Sequence, residues 1–184
     1  QKTAYEITYG DWSSDVCSSD LNSDRQNVIE IQDVALAGAY TMEFNEMWGS
    51  STDTPNQTNS RFGARKTNNT PHKFNINGVP VSSYFSPSDQ TTSRIAGTLS
   101  KAQHSVSVSI LTFTRKDIAD TLINRKNGGK KVRVVVDNNT DTGNQFSYLQ
   151  TNGIDIHLKG GSGLLHHKYG LVDADQTTGK RYVV

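Results

Sequence analysis

An α/β architecture, with a mixed and largely parallel β-sheet flanked by helices, is what this chain encodes. Strand-like and helix-like stretches alternate from Val81 to Val184, the strands are rich in β-branched residues, and two of the helical stretches run into glycine. Chains of this pattern lay their helices over a sheet rather than pairing strand with strand alone.

In chain order, Val28-Ile29-Glu30-Ile31 reads as a short strand. Asp33 then caps a helix whose Leu36, Tyr40, Phe44 and Met47 recur at near-fourfold spacing on one face, and Gly49 ends it. From Gly49 to Pro71, Ser, Thr, Asn and Gln dominate and large apolar residues are nearly absent. Such a stretch has little surface to bury, so residues 50–78 read as a polar linker. Val81 to Phe85 is the next strand, and Ser88 caps a helix that turns Ile95, Leu99 and Ala102 inward.

Ser105-Val106-Ser107-Val108-Ser109-Ile110 alternates with period two, as a strand with one face more buried than the other does. Ile118, Ala119, Leu122 and Ile123 mark a helix closed by Gly128-Gly129, and Val132 to Val136 is a β-branched strand. Phe146 and Leu149 mark a third helix in this region, stopped by Gly153. Ile154 to Leu158 and Lys168 to Val172 are strands, and Asp173 to Gly179 turns into a last strand at Tyr182 to Val184.

Composition narrows the function classes. No run approaches the roughly 18 apolar residues of a membrane helix, and Gln1-Lys2-Thr3-Ala4-Tyr5 has no signal-peptide pattern. With 19 Lys+Arg against 18 Asp+Glu, the net charge of +1 provides no basic coat for nucleic acid, although a local cleft can still hold phosphate. Cys17 stands alone and forms no internal disulfide. Asp11 to Leu21 match, residue for residue, one reading frame of a common sequencing-adapter oligonucleotide. Residues 1–21 are therefore expected to be an assembly scar and are set apart from the fold, with native sequence resuming near Asn22.

The chemistry concentrates at Leu165-His166-His167-Lys168-Tyr169-Gly170-Leu171-Val172-Asp173, which contains His-x-Lys-x-x-x-x-Asp as His166, Lys168 and Asp173. Alternation along a strand puts His166 and Lys168 on one face and His167 on the other. A neutral imidazole can attack phosphorus while an ammonium neutralises the non-bridging oxygens, and a carboxylate can hold a donor in place. That chemistry calls for no metal or other cofactor.

Around this motif the sequence resembles the phospholipase D superfamily. Tyr84-Phe85-Ser86-Pro87-Ser88-Asp89 is similar to the opening strand and turn of its repeat, and Ser107 to Thr114 to its second strand. Ile118 to Leu122, Lys131 to Asp137 and the His-Lys-Asp strand follow in family order. The resemblance implies that residues 79–184 are most of a second repeat and that residues 22–49 close a first one. In the family, two repeats each give a His-Lys-Asp motif to a shared site. One histidine forms a phosphohistidine and the other protonates the leaving group. The resemblance thus implies a phosphodiesterase, with His166 as nucleophile or general acid, Lys168 as phosphate clamp and Asp173 as orienting carboxylate. Gln26 stands where the family often has an acid before Asn27-Val28, and the family's Gly-Ser-x-Asn segment is absent.

The expected substrate is a phosphodiester of nucleic acid or phospholipid, and the expected partner is a second repeat or subunit that completes the site. A chain with one motif is expected to be inactive alone. The competing reading is a non-catalytic surface or matrix-binding protein that keeps the fold, and the Asn/Ser/Thr bias points to an exported bacterial protein. His166-His167 as metal ligands fares worse, because neighbouring strand residues face opposite ways. His72, His104 and His157 have no comparable pattern and read as surface or strand-edge residues. Arg125, Lys126, Lys130, Lys131 and Arg133 read as cations complementing a helix C-terminus, and Gly160-Gly161-Ser162-Gly163 as a flexible connector.

Overall fold

Asp33 opens the first helix of the residues described here, 24–184 of a computed structural model. Its Oδ1 accepts the Leu36 N–H at 2.8 Å, satisfying a donor that a helix start leaves open. This helix, α1, runs Val34–Trp48 and stops at Gly49, whose φ of 80° lets its N–H return to the Asn45 carbonyl. Leu36, Ala39 and Glu43 form its buried stripe. Phe44 does not join them: it is 54% exposed and stacks on Trp48 with ring centroids 5.5 Å apart. Nor does Val28–Ile31 form the expected strand. Val28 and Ile29 stay exposed there, with no packed face to reward an extended backbone. The assembly-scar reading of residues 1–21 lies outside the described residues.

Residues 50–78, expected to be a polar linker, are mostly exposed, yet several of them are hydrogen-bonded to α1. Arg61 N–H donates to the Glu46 carbonyl at 3.0 Å, and Asn56 N–H donates to that of Trp48 at 3.0 Å. Thr67 donates to the Glu46 carboxylate through both its N–H, at 2.9 Å, and its hydroxyl, at 2.6 Å. Lys66 pairs with Glu43 where both side chains are under a tenth exposed. Polar partners supply the order here, so hydropathy carries no trace of it. Lys73–Ile76 (β1) and Val79–Ser82 (β2) then form an antiparallel hairpin across Asn77-Gly78. Both loop residues have positive φ, 50° and 84°, as a two-residue primed turn requires. The strand expected at Val81–Phe85 accordingly begins earlier and ends at Ser82.

His72, expected at the surface, sits in a network. Its Nδ1 lies 3.0 Å from the Ser83 carbonyl, its Nε2 lies 2.7 Å from Asn68 Oδ1, and its ring lies against Tyr84. Ser88 does not cap a helix. Its hydroxyl serves the Phe85 carbonyl and the Asp89 carboxylate, and helix α2 begins later, at Thr91–Leu99. Chain contacts separate residues 28–91 as one unit from residues 24–27 and 92–184 as another.

The second unit holds the sheet. Its elements are β3 (Ser105–Thr112), α3 (Lys116–Asn127), β4 (Lys131–Asn138), α4 (Phe146–Thr151), β5 (Asp155–Leu158), β6 (Lys168–Val172) and β7 (Tyr182–Val183). The strand order is β5-β4-β3-β6-β7. β3, β4 and β5 are mutually parallel, whereas β6 runs antiparallel to β3 and β7 antiparallel to β6. The sheet is mixed as expected, with parallel pairing confined to three strands. Register places Val106 beside Val132 and Val172, and Ile110 beside Val136 and Lys168. Paired residues share a face. The valines of that face join Leu99 of α2, Ala119, Leu122 and Ile123 of α3, and Leu149 of α4 in one buried cluster. Each such burial contributes about 1.5–3 kcal/mol for a Val or Leu side chain, so this layer fixes the sheet on which the motif rides.

Candidate active site

Because β6 runs against β3, β4 and β5, its first residue, Lys168, stands level with Ile110 and Val136 near the C-terminal ends of the parallel strands. Ligands of open α/β sheets bind at that edge. His166 lies two residues before Lys168 in extended chain, half-buried, and Lys168 is exposed. Lys168 Nζ lies 3.4 Å from the His166 backbone carbonyl at this edge.

The approach to His166 is held by residues far away in sequence. Arg25 bridges Leu165, donating its N–H to the Leu164 carbonyl at 2.7 Å and accepting the His166 N–H at 3.0 Å. Its guanidinium reaches the Ser162 carbonyl at 2.8 Å, and Asp24 Oδ1 accepts the Leu164 N–H at 2.8 Å. Residues 160–163, expected to be a flexible connector, are thus tied down. Asp24 and Arg25 escaped the sequence reading because isolated backbone pairing has no spacing signature. His167 has partners of its own. Its Nδ1 is 2.9 Å from Asn27 Oδ1, its ring meets Tyr169 edge-on, and burial holds its pKa below the ordinary imidazole value.

Asp173 is not brought to the pair. It lies just past the far end of β6, five residues beyond Lys168, a separation of ~17 Å along extended chain. It sits buried at the start of β3, accepting the N–H groups of Gln103, His104 and Ser105 at 2.9, 2.8 and 2.8 Å. Burial pushes its carboxyl up, but the three amides together outweigh burial and hold the pKa below the usual carboxylate range. Its geometry is that of a strand anchor, so the expected orienting contact with His166 does not form.

Beside the pair, Asp141 takes the Thr112 hydroxyl at 2.7 Å and the Asn138 amide at 2.6 Å, closing a network across the strand ends. Among the described residues no three His, Cys, Asp or Glu side chains gather as a metal set, and no helix is long and apolar enough to cross a membrane. Two cations in the last turn of α3 bind carbonyls: Arg125 that of Ser100 and Lys126 that of Asn152.

A family model described as "Cardiolipin synthase, PLD-like domain" matches residues 95–181. The chain is also 31% identical over 87 residues to the mitochondrial cardiolipin hydrolase of Xenopus tropicalis, across 46% of this chain and 41% of that protein. Through this segment the chain is similar to the phospholipase D superfamily. The phospholipase D-like segment includes His166, Lys168 and Asp173. The chain spans about two fifths of the length of the curated relatives it matches. Among solved structures it is similar to a phospholipase D family member, Nuc from Salmonella typhimurium, with 26% identity and a TM-score of 0.43 over 48% of this chain and 60% of that one. It is also similar to NucT from Helicobacter pylori, with 21% identity and a TM-score of 0.40 over 46% and 60%.

Proposed function

We propose that the protein carrying this chain is a phosphodiesterase that hydrolyses a P–O bond, in nucleic acid or phospholipid, through a phosphohistidine. The observation that supports this most is the placement of Lys168, two residues after His166, level with the C-terminal ends of the parallel strands. In the first step a neutral His166 nitrogen forms a bond to phosphorus, the ester P–O bond breaks, and an acid protonates the departing oxygen. Water then displaces the histidine. Lys168 neutralises the non-bridging oxygens as charge builds on them. Asp173 keeps β3 and β6 aligned. One imidazole cannot be nucleophile and acid in the same step, so a second repeat or subunit supplies the other.

Phospholipid enters through the name of the Xenopus tropicalis relative, and nucleic acid through the compactness of the opening elements. Hydrolysis of plasmid compared with cardiolipin or phosphatidylcholine vesicles separates the two. The reaction class is tested on bis(p-nitrophenyl) phosphate with chelator present, using the intact parent protein. Turnover is expected to survive the chelator and to fall at least about 10³-fold in His166→Ala. Undiminished activity in that variant defeats the reading, and a parent without turnover favours the binding protein.

A further inference from the structure

His166 is delivered by a glycine-rich stretch, Lys159-Gly160-Gly161-Ser162-Gly163-Leu164-Leu165, that forms no helix and no strand. Such a stretch has wide conformational freedom, and a misplacement of ~1 Å at a reacting group costs about 10²-fold in rate. Something has to close it down. Asp137, near the end of β4, accepts the Leu165 N–H on its Oδ2 at 2.8 Å, immediately before His166. Lys159, just past β5, donates its N–H to the Val136 carbonyl at 2.7 Å. Its Nζ lies 3.9 Å from Asp137 Oδ1 and donates to the Gly161 and Ser162 carbonyls, each at 3.2 Å. The two side chains are only 12% and 10% exposed. Charges so far from water persist only where each finds partners, and here the partners are each other and the backbone of the loop.

We infer that Asp137 and Lys159 are a positioning pair for His166: together they clamp both ends of the glycine-rich loop and set the depth at which the imidazole meets phosphate. Neither residue belongs to the His-x-Lys-x-x-x-x-Asp motif, and neither touches the reacting atoms. The inference rests on the phosphodiesterase reading and adds residues to it.

The test uses the intact parent protein on bis(p-nitrophenyl) phosphate, with hydrogen exchange of the loop as a second readout. In Asp137→Ala, kcat is expected to fall about 10- to 100-fold with KM within about threefold, because ground-state binding depends on Lys168 and not on the clamp. Exchange of the amides from Gly160 to His166 should rise together. Lys159→Met should reproduce both effects, and Lys159→Arg should restore most of kcat by keeping the charge and donors. The double variant Asp137→Ala/Lys159→Met should be no worse than the more damaged single variant, since both act on one loop. If Asp137→Ala does not fold, Lys159→Met and Asp137→Asn carry the same measurements. Full kcat in a folded clamp variant, or a change confined to KM, overturns the inference while His166→Ala stays inactive. A wild-type parent with no turnover overturns the phosphodiesterase reading and this one with it.

Discussion

Asp173 gathers three backbone amides onto one carboxylate, at a backbone φ of 53° that alanine adopts only with strain. Asp173→Ala should therefore destabilise the sheet by about 2–4 kcal/mol, from the unmet Ser105 amide and the backbone together. Asp173→Asn should cost less, because asparagine tolerates that conformation and keeps one acceptor oxygen. The carboxyl's folded pKa lies below its unfolded value of about 3.9. Its contribution is thus fully present above that value and is lost as pH falls through the folded pKa. Denaturant melts of wild type and Asp173→Asn across pH should show a constant gap above about pH 5 that narrows below about pH 4. A gap that widens on acidification would contradict this assignment. Lys168 opens β6 and Asp173 follows its last residue, so the length of the strand separates two residues that the motif groups together.

Among the elements, α1 offers a contrast between the glycine inside it and the glycine that ends it. Gly38 lies mid-helix, exposed, with nothing within 4 Å of an added Cβ. Gly38→Ala should raise stability by about 0.5–1 kcal/mol through helix propensity. Gly49 at the helix end has φ 80°, and a Cβ there would fall 2.0 Å from the Asn56 carbonyl oxygen. Gly49→Ala should cost more than about 1 kcal/mol, because both the backbone conformation and the return of residues 56–60 onto α1 are lost. Thermal melts followed by near-UV circular dichroism at Trp48 would show the opposite shifts; equal shifts would mean the loop does not depend on this approach. Where local chemistry decides, the sequence is readable: Asp33 and Gly49 bound α1, Gly128 closes α3, and the β-branched runs become β3 and β4. Asn77-Gly78 was an available hairpin signal that the reading passed over. Residues 56–67 were not readable, because their order comes from single polar contacts such as Thr67 to Glu46 and Lys66 to Glu43. Such contacts have no periodicity.

For the whole molecule, the deciding feature is where His166 and Lys168 stand relative to two clefts among the described residues. A cleft of about 360 Å³ is lined by Lys101, Gln103, His104, Asp173 and Tyr182 among others, at the end of the sheet opposite His166. Another, of about 450 Å³, lies along α1 with Glu46 and Arg61. Neither is lined by His166 or Lys168; on the proposed mechanism the second histidine comes from another motif. Two arrangements can supply it, and subunit mixing separates them. If two copies of this chain share a site, the chain alone should be inactive as a monomer and gain specific activity with concentration. Mixtures of wild type with His166→Ala at fixed total protein should then lose activity as the square of the wild-type fraction, because hybrid pairs lack one imidazole. If the second motif lies elsewhere in the parent chain, the 184-residue chain should stay inactive at every concentration, while the parent loses turnover when either motif histidine is replaced. Size-exclusion chromatography run with the chelator-resistant assay distinguishes these outcomes, and robust turnover by a monomer of this chain rules out both, since one imidazole would then be serving as nucleophile and acid alike.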